Sequence, residues 1–353
     1  MKTKFTLLLL AICFSATNYA QKVVALHSPT NGVQYFNSDT AFQEAYTAAI
    51  AGDTIYLPGG THFPPSVFEK QLTIFGTGHY PSSTSATFAT KISGTVTLSD
   101  ETDGFYLEGV EITSDITLQT NESVNNITVK RCKFRNLNNA GDATNASVNN
   151  IFIENVFNSV NDVRNMRSST FLNNIIEGGS ASPYYPIYQY ATDLSFLNNL
   201  ILYSDISGTI YPPLYNGAGN CLFKNNIFLM EGNTISAGNG SSTWINNTFC
   251  TSSTTPTIGL DPTLVNNYFM TRANVLVNQT GAVFSYDDDY HLQAGATANL
   301  GDDGLETGIY GGFYPWKDSS VPINPHIISK TISGASDASG NIQVDINVQA
   351  QDN

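Results

Sequence analysis

The sequence predicts an all-β solenoid, because a short motif returns along the chain at a nearly constant spacing. The motif reads apolar, any, Asn, Asn, any, apolar, and five complete copies begin at Phe171, Phe196, Phe223, Trp244 and Leu264. The steps between successive copies are therefore 25, 27, 21 and 20 residues. Repeats of roughly 20–50 residues are typical of solenoids and arrays, in which each repeat packs only on its neighbours.

Each copy of the motif predicts two short strands that meet at a corner. Apolar β-branched or aromatic residues flank the Asn pair, and longer runs with the helical period of 3.6 are missing. Asn tolerates the left-handed backbone of a sharp corner, and stacked Asn side chains can hydrogen-bond to one another. We therefore expect a ladder at one corner of successive coils, formed by Asn173, Asn198, Asn225, Asn246 and Asn266.

Weaker copies of the same motif extend the predicted solenoid toward the N-terminus. LEGVEI begins at Leu107 and VKRCKF begins at Val129, both without the Asn pair. IENVF, which begins at Ile153, is one residue short of the frame. The coils are thus expected to start well before the first complete copy.

The N-terminal part of the chain predicts an amphipathic helix over Ala41–Ile50. Phe42, Ala45, Ala49 and Ile50 fall on one helical face. Gly52 and Asp53 then end the helix, and Ile55 and Leu57 alternate as in a strand. We expect this helix to cover the open end of the first coil, because an uncovered end exposes apolar side chains and unpaired backbone groups.

The repeats, together with Ala41–His62 and Gln71–Gly78, resemble the right-handed parallel β-helix proteins of the pectin-lyase-like superfamily. The resemblance covers most of the chain and implies a single-stranded right-handed parallel β-helix. Asp287–Gly312 is similar to the segment that finishes the last coil in many of these proteins, although Ala296-Thr297-Ala298 stands where Ser-Pro-Ala is usual. The fold hosts many functions, so the resemblance alone names none.

Residues 1–20 are predicted to be a secretory signal that is cleaved between Ala20 and Gln21. Lys2 and Lys4 precede an apolar core, Leu7–Phe14, that is too short to span a membrane. This signal resembles those of Bacteroidetes-type bacteria. The mature protein is therefore expected to be secreted, periplasmic or at the cell surface.

The remaining chain divides into a β-helix over residues 21–312 and a tail over residues 313–353. The tail begins with a Pro-containing linker and offers two strand-like runs within Ile327–Ala350. One interpretation is a hairpin that covers the C-terminal end of the solenoid. The other is a sorting signal for an outer-membrane secretion system.

The net charge argues against several classes of binding partner. The formal net charge is −14 and becomes −16 when Lys2 and Lys4 are removed with the signal. Such a surface repels nucleic acid and anionic lipid, and it disfavours a polyanion such as pectate.

The cysteines left after cleavage, Cys132, Cys221 and Cys250, are predicted to be free and mostly buried. No Cys or His spacing indicates zinc.

The sequence does not contain a complete catalytic motif of the superfamily. Polygalacturonase-like enzymes carry Asn-Thr-Asp, Asp-Asp, Gly-His-Gly and Arg-Ile-Lys motifs in consecutive coils. Of these motifs this sequence has only Asp-Asp, and the pair Asp302-Asp303 lies in the closing segment, outside the middle coils. The basic residue with calcium ligands that pectate lyases use for proton abstraction is also not recognisable as a motif. If the protein is an enzyme, the weak catalytic candidates are Asp142, Asp162, Arg164 and Arg167.

Two insertions favour a carbohydrate-binding groove instead. SASPYYPIYQY and SGTIYPPLYNG lengthen two adjacent coils, and their tyrosines fall at similar offsets from the start of each coil. Tyrosine rings stack on sugars and hydrogen-bond to hydroxyl groups, whereas arginines grip carboxylates or sulfates. The predicted ligand-binding residues are Tyr184, Tyr185, Tyr188, Tyr211, Tyr215, Arg164 and Arg167. The alternative is that the Tyr and Pro residues pack the loops onto the solenoid.

No cofactor is predicted, although calcium remains possible at acidic residues near the C-terminus. The candidates are Asp287, Asp289, Asp302 and Asp303. No alternating ligand loop accompanies them, so a solvated acidic turn is the alternative.

These observations favour a secreted carbohydrate-contacting or surface-associated β-helix protein that lacks a complete catalytic site. One alternative is a polysaccharide lyase or glycoside hydrolase of the same superfamily, and another is a structural, adhesin-like spacer. The expected partner is a polysaccharide or cell-surface glycan. The oligomeric state stays open.

Overall fold

The computed structural model describes residues 23–139, 144–161, 163, 165–178, 186–188, 191–202, 218–229, 241–250, 263–279, 283–296, 300–318 and 320–350. Within this part of the chain, the predicted all-β solenoid is confirmed: parallel strands stack into two long sheets of 12 and 13 strands. Each coil contributes one short strand to each sheet, and the motif corner joins the two strands.

The first sheet begins with an antiparallel hairpin and continues with parallel strands from successive coils. In spatial order its strands are Gly32–Phe36, Val24–Ser28, Thr54–Tyr56, Thr73–Phe75, Tyr106–Glu108, Thr128–Lys130, Ile151–Ile153, Thr170–Leu172, Ser195–Leu197, Leu222–Lys224, Thr243–Ile245 and Thr263–Val265.

The second sheet follows the corner in each coil and is parallel throughout. Its main path contains Gly60–His62, Thr90–Ile92, Glu111–Ile112, Lys133–Asn139, Val156–Asn161, Ile175–Ile176, Leu200–Leu202, Ile227–Leu229, Thr248–Cys250 and Tyr268–Met270. Val96–Leu98, Ile116–Leu118 and Ile187–Tyr188 join it beside this path.

Four short strands form a third side of the coil. Ser147–Val148 pairs with Met166–Arg167, and Ala191–Thr192 pairs with Ala218–Gly219, all in parallel. The remaining strands form two antiparallel pairs, Leu276–Asn278 with Asp289–Leu292 and His326–Ile332 with Val344–Gln349. One α-helix, Ala41–Ala48, and two 3-10 turns, Asp100–Thr102 and Arg272–Asn274, complete the regular structure of the described residues.

The strand register confirms the motif frame, with one correction. The apolar residues that open the complete copies pair with one another from coil to coil, beginning with Phe171 and Phe196. The copy assigned to Ile153 in fact begins at Phe152, which pairs with Phe171. FIENVF is therefore a full-length copy with Glu154 and Asn155 in the Asn positions.

Aromatic rings form a continuous column inside the coils because one inward position is repeatedly aromatic. Phe152, Phe171, Phe196, Phe223 and Trp244 stack with centroid distances of 4.9, 4.7, 5.0 and 4.0 Å. These separations match the spacing of adjacent strands, about 4.8 Å. Ring stacking therefore adds to the burial of apolar surface at every step.

The two asparagines of the motif have different roles, which corrects the predicted ladder. The first, at Asn173, Asn198, Asn225, Asn246 and Asn266, has φ of +51, +57, +58, +53 and +50°, so the five residues do share one left-handed corner position. The side-chain ladder is instead formed by the second residue of each pair, Asn174, Asn199, Asn226, Asn247 and Asn267, and it begins one coil earlier with Asn155, which follows Glu154; the Nδ2–Oδ1 distances are 2.9–3.0 Å. A left-handed residue turns its side chain outward, so the next residue points into the coil.

The predicted free thiols are confirmed. Cys132, Cys221 and Cys250 form no disulfide bonds, and all three are buried. Cys132 takes the second Asn position of its coil, where its backbone N–H donates to Asn155 Oδ1 at 2.9 Å. Burial raises the pKa of the Cys132 and Cys221 thiols to about 12, which keeps both protonated and unreactive.

The predicted N-terminal helix forms over Ala41–Ala48, shorter than expected at its C-terminal end. Phe42 and Ala45 are buried, and the Phe42 ring lies 6.1 Å from that of Phe68. Ile50 is exposed and was wrongly assigned to the buried face, because the chain has left the helix before it. The role of the helix as a cover for the first coil stays a prediction.

The C-terminal segment does not finish the last coil as Asp287–Gly312 was predicted to do. After Asp289–Leu292 it runs back toward the N-terminus along the motif corner. Leu300 O accepts from Asn246 Nδ2, Gly311 O accepts from Asn173 Nδ2, and Ile323 N donates to Glu108 Oε1. We call residues 300–318 and 320–323 the strap.

The strap and the residues before it cover apolar side chains on the outer face of the second sheet. Val156, Ile175, Leu200 and Ile227 occupy one outward row in successive coils. They are buried in a cluster with Phe284, Tyr290, Ile309 and Trp316. A row of four apolar residues on a sheet surface requires such a cover, because leaving it in water loses the free energy of burial.

The tail forms the predicted hairpin, His326–Ile332 with Val344–Gln349, but the hairpin does not cover the C-terminal end of the solenoid. The strap carries the chain back to Glu108 before the hairpin begins. All residues of Val344–Gln349 are exposed.

Candidate functional site

Most of the predicted groove lies outside the described residues. This applies to Tyr184, Tyr185, Tyr211, Tyr215, Arg164, Asp142 and Asp162. The positions of Tyr188 and Arg167 can be described, the former by its backbone alone.

Tyr188 and Arg167 lie in different sheets. Ile187–Tyr188 extends the second sheet by pairing with Val160–Asn161, whereas Met166–Arg167 belongs to the third side and pairs with Ser147–Val148. Tyr188 and Arg167 therefore do not lie in one row, because the chain of the later coil returns to the second sheet at Ile187–Tyr188 after its insertion. Arg167 is half-buried, and its Nη1 donates to Met166 O at 2.9 Å.

The two Tyr-bearing insertions nevertheless leave and rejoin the coils at matching places. Ile176 and Ile201 are paired in the strands of the second sheet that precede the two insertions. Ala191 and Ala218 are paired where the chain returns to the third side. Both insertions thus begin and end on adjacent coils, about 4.8 Å apart.

Of the four acidic residues considered for calcium, Asp289, Asp302 and Asp303 have carboxylates engaged in local contacts, whereas Asp287 forms a hydrogen bond through its backbone N–H to Ser285 Oγ. Asp302 forms an ion pair with Lys224 at 2.9 Å, and it also accepts from Asn225 Nδ2. Asp289 Oδ1 lies 2.8 Å from His291 Nδ1, and hydrogen bonds from His291 lower the pKa of Asp289. Asp303 Oδ1 accepts from Leu305 N. The described residues contain no group of three or more His, Cys, Asp or Glu that could hold a metal ion, and calcium binding stays a prediction.

A buried ion cluster lies beneath the strap and was missed by sequence reasoning. Arg131 Nε donates to Glu154 Oε2 at 3.0 Å, and Arg131 Nη1 donates to Glu108 Oε1 at 3.3 Å. All three side chains are fully buried, and Arg131 Nη1 also donates to Val321 O of the strap. The cluster could have been found from the motif, because Arg131 and Glu154 occupy the first Asn position of their copies and Glu108 precedes that position in its own.

This cluster is sealed from solvent, so it serves the fold and offers no accessible acid or base. Burial raises the pKa of the Glu108 carboxyl, although the hydrogen bond from Tyr106 and the charges of Lys130 and Arg131 oppose that change. Tyr106 Oη donates to Glu108 Oε2 at 2.6 Å. A carboxyl with a raised pKa holds its proton to higher pH in the folded state than in the unfolded chain.

Glu108→Gln is therefore expected to make the free energy of unfolding less dependent on pH above the ordinary carboxyl pKa of 4.5. As pH rises above the ordinary value of 4.5, the unfolded chain loses the Glu108 proton before the folded protein does. The contribution of Glu108 to the wild-type free energy of unfolding thus falls with rising pH in this window. Urea unfolding at several pH values above 4.5 should show a shallower fall for the variant. Parallel profiles for the two proteins would contradict the raised pKa.

An aromatic row on the outer face of the first sheet was also missed. His27 and Tyr56 lie 4.9 Å apart, Tyr56 and Phe75 lie 5.6 Å apart, and Phe75 and Tyr106 lie 5.7 Å apart between ring centroids. Tyr56, Phe75 and Tyr106 are half-buried in this row, whereas His27 is exposed. Tyr35, on the edge strand, is 70% exposed.

A cavity of about 360 Å³ lies beside the last described coil. It is lined by Leu229, Arg272, Ala273, Leu276, Val277, Asn278, Gln279 and Gln293. Arg272 Nη2 donates to Gln279 Oε1 at 2.8 Å, so the arginine is held by the wall of the cavity. The lining contains no carboxylate or histidine, which leaves it without an acid–base pair.

Comparison with protein-family models, with curated proteins and with solved structures gave no match to this chain. In the described part of the chain, no helix combines the length and apolar character that crossing a membrane requires. What is established is therefore the fold, a parallel β-solenoid whose motif corner is covered by a C-terminal strap.

Proposed function

We propose that this protein is a secreted or surface-associated β-helix that contacts carbohydrate through the two Tyr-bearing insertions. The observation that supports the proposal is the matched position of these insertions. Residues 177–186 and 203–217 follow the paired strands Ile175–Ile176 and Leu200–Leu202, and the paired strands Ala191–Thr192 and Ala218–Gly219 come after them in the same two coils. Segments that start and end side by side on a solenoid present their side chains to the same ligand.

The composition of the insertions suits a sugar ligand. Seven of the 18 tyrosines of the chain fall between Tyr184 and Tyr215. A tyrosine combines an apolar ring that stacks on a sugar with a hydroxyl that hydrogen-bonds to it. The net charge of −14 favours a neutral glycan over an acidic one.

Glycan-array screening of the full chain is the direct test. If a neutral glycan binds, Tyr188→Ala or Tyr211→Ala should weaken binding by about 1–2 kcal/mol through lost stacking. Tyr35→Ala is the matched control, because Tyr35 is exposed on a different sheet and should leave binding unchanged. Equal binding by all four proteins would argue against the insertions as the site.

The enzyme alternative depends on Arg164 or Arg167 acting with Asp162 or Asp142. Lyase and reducing-end assays on any bound glycan distinguish it from the binding proposal. Loss of bond cleavage in Arg164→Ala, with binding retained, would favour the enzyme. A chain that binds no glycan would favour the structural, adhesin-like spacer.

A further inference from the structure

The C-terminal end of the solenoid exposes residues that belong to the core. Leu264 is 50% exposed and Phe269 is 41% exposed, whereas Trp244 and Phe249 are fully buried at the equivalent positions one coil earlier. The Phe269 ring stacks on Phe249 at 5.7 Å, so its other face is the end of the interior column. Solenoids need a polar or covered terminal coil to remain soluble, and the described residues provide neither at this end.

The ladder of asparagine side chains also ends at this last described coil. Each earlier ladder asparagine donates its backbone N–H to the side-chain oxygen of the next one, as Asn247 N does to Asn267 Oδ1 at 2.9 Å. Asn267 is the last ladder residue of the described chain. The strands Thr263–Val265 and Tyr268–Met270 likewise lie at the edges of their sheets. The end thus offers both apolar surface and strand edges to a partner.

The C-terminal hairpin also exposes apolar side chains. Val344, Ile346 and Val348 alternate along one strand, and Ile332 pairs with Val344. All four side chains are more than half exposed and share one face of the hairpin. A two-stranded hairpin is marginally stable alone in water, so this face requires a surface to pack on.

The hairpin cannot reach the open end of its own solenoid. Ile323 is held at Glu108, and seven coil steps separate Glu108 from Val265, which is about 34 Å at 4.8 Å per step. From Ile323 to Ile332, which pairs with Val344 at the far end of the apolar face, nine fully extended residues span at most about 32 Å. The apolar face therefore falls short of the open end of its own solenoid, which favours a second molecule as the partner.

We propose that the C-terminal hairpin of one copy covers the open C-terminal end of the solenoid of a second copy. The contact is heterologous, since two different surfaces meet. It closes if two copies exchange hairpins reciprocally, and otherwise it continues into a chain of copies. Hairpin strands also suit the exposed edges of Thr263–Val265 and Tyr268–Met270, because an added strand supplies main-chain hydrogen bonds.

Light scattering after size exclusion, at increasing protein concentration, should give a mass above that of one chain for the wild type. Ile346→Glu places a charge on the apolar face and should weaken self-association roughly tenfold or more. Asn347→Glu is the matched control, because it adds the same charge on the opposite face of the same strand and should leave the mass unchanged. A monomeric wild type, or equal disruption by both variants, would overturn the proposal.

Cysteine cross-linking tests the pairing itself. A Leu264→Cys chain mixed with an Ile346→Cys chain should form a disulfide-linked pair on oxidation, and neither chain alone should do so to the same extent. The buried thiols of Cys132 and Cys221, with pKa values of about 12, should not compete. If both substitutions in one chain instead gave a disulfide within that chain at high dilution, the hairpin would reach its own solenoid and the inference would fail.

Discussion

Arg131→Met is expected to lower the free energy of unfolding by about 3–5 kcal/mol, since it leaves two carboxylates buried without their counter-charge. Arg131 bridges Glu108 and Glu154 in the coils on either side, and all three side chains are fully buried. Methionine fills much of the same volume, so the loss reports the missing charge and hydrogen bonds. Urea unfolding of the purified variant measures it.

The chain provides a control for this prediction four residues away. Arg135 forms an ion pair with Asp115 at 2.7 Å, but the Arg135 side chain is 57% exposed. Arg135→Met should therefore cost less than about 1 kcal/mol, because exposed ion pairs contribute little. Similar losses for the two variants would mean that the buried cluster is not the stabilising feature that its geometry indicates.

The solenoid could be predicted because its signal is local and repeated. Every coil repeats the same corner motif, so the motif copies from Phe171 onward predicted the strand pairing correctly. The ladder was placed one residue too early because the sequence does not say which Asn of a pair adopts the left-handed conformation. The φ angle of +58° at Asn225 decides this, and it turns Asn226 inward.

The strap could not be predicted, because it depends on contacts between residues far apart in the sequence. Arg131 forms a hydrogen bond to Val321, which lies 190 residues later in the sequence. Ile323 forms one to Glu108, which lies 215 residues earlier. No repeat marks residues 300–323, and their Gly punctuation is equally typical of a segment that closes a coil. The apolar row of Val156, Ile175, Leu200 and Ile227 was the available signal, since it indicated an outer surface in need of a cover.

The candidate site was the least predictable part. Two residues at the same offset from the start of their coils lie side by side only if both coils have the same length up to that point. Insertions of unequal length remove this equivalence. This is why Tyr188 and Arg167, expected in one groove, lie in different sheets. The points where the insertions leave and return could be inferred, since these still belong to paired strands.

Asn226→Leu is expected to be the most damaging substitution at the motif corner. Asn226 Oδ1 accepts from Asn199 N and Nδ2 at 2.8 and 3.0 Å. Its Nδ2 donates to Phe196 O and Asn247 Oδ1 at 2.8 and 2.9 Å. Leucine has a similar size but satisfies none of these buried groups. Two or three groups left without partners, at about 1–3 kcal/mol each, predict a loss of roughly 3–6 kcal/mol.

Asn225→Gly separates the ladder from the corner that carries it. Glycine adopts the left-handed conformation of Asn225 without strain and removes only the side-chain hydrogen bonds to Asp302 of the strap. It should therefore lower the unfolding midpoint in urea much less than Asn226→Leu does. If the two substitutions had equal effects, or if Asn225→Gly had the larger one, the stability of the corner would come from its contact with the strap. A large shift for Asn226→Leu alone would show that the inward amides hold successive coils together.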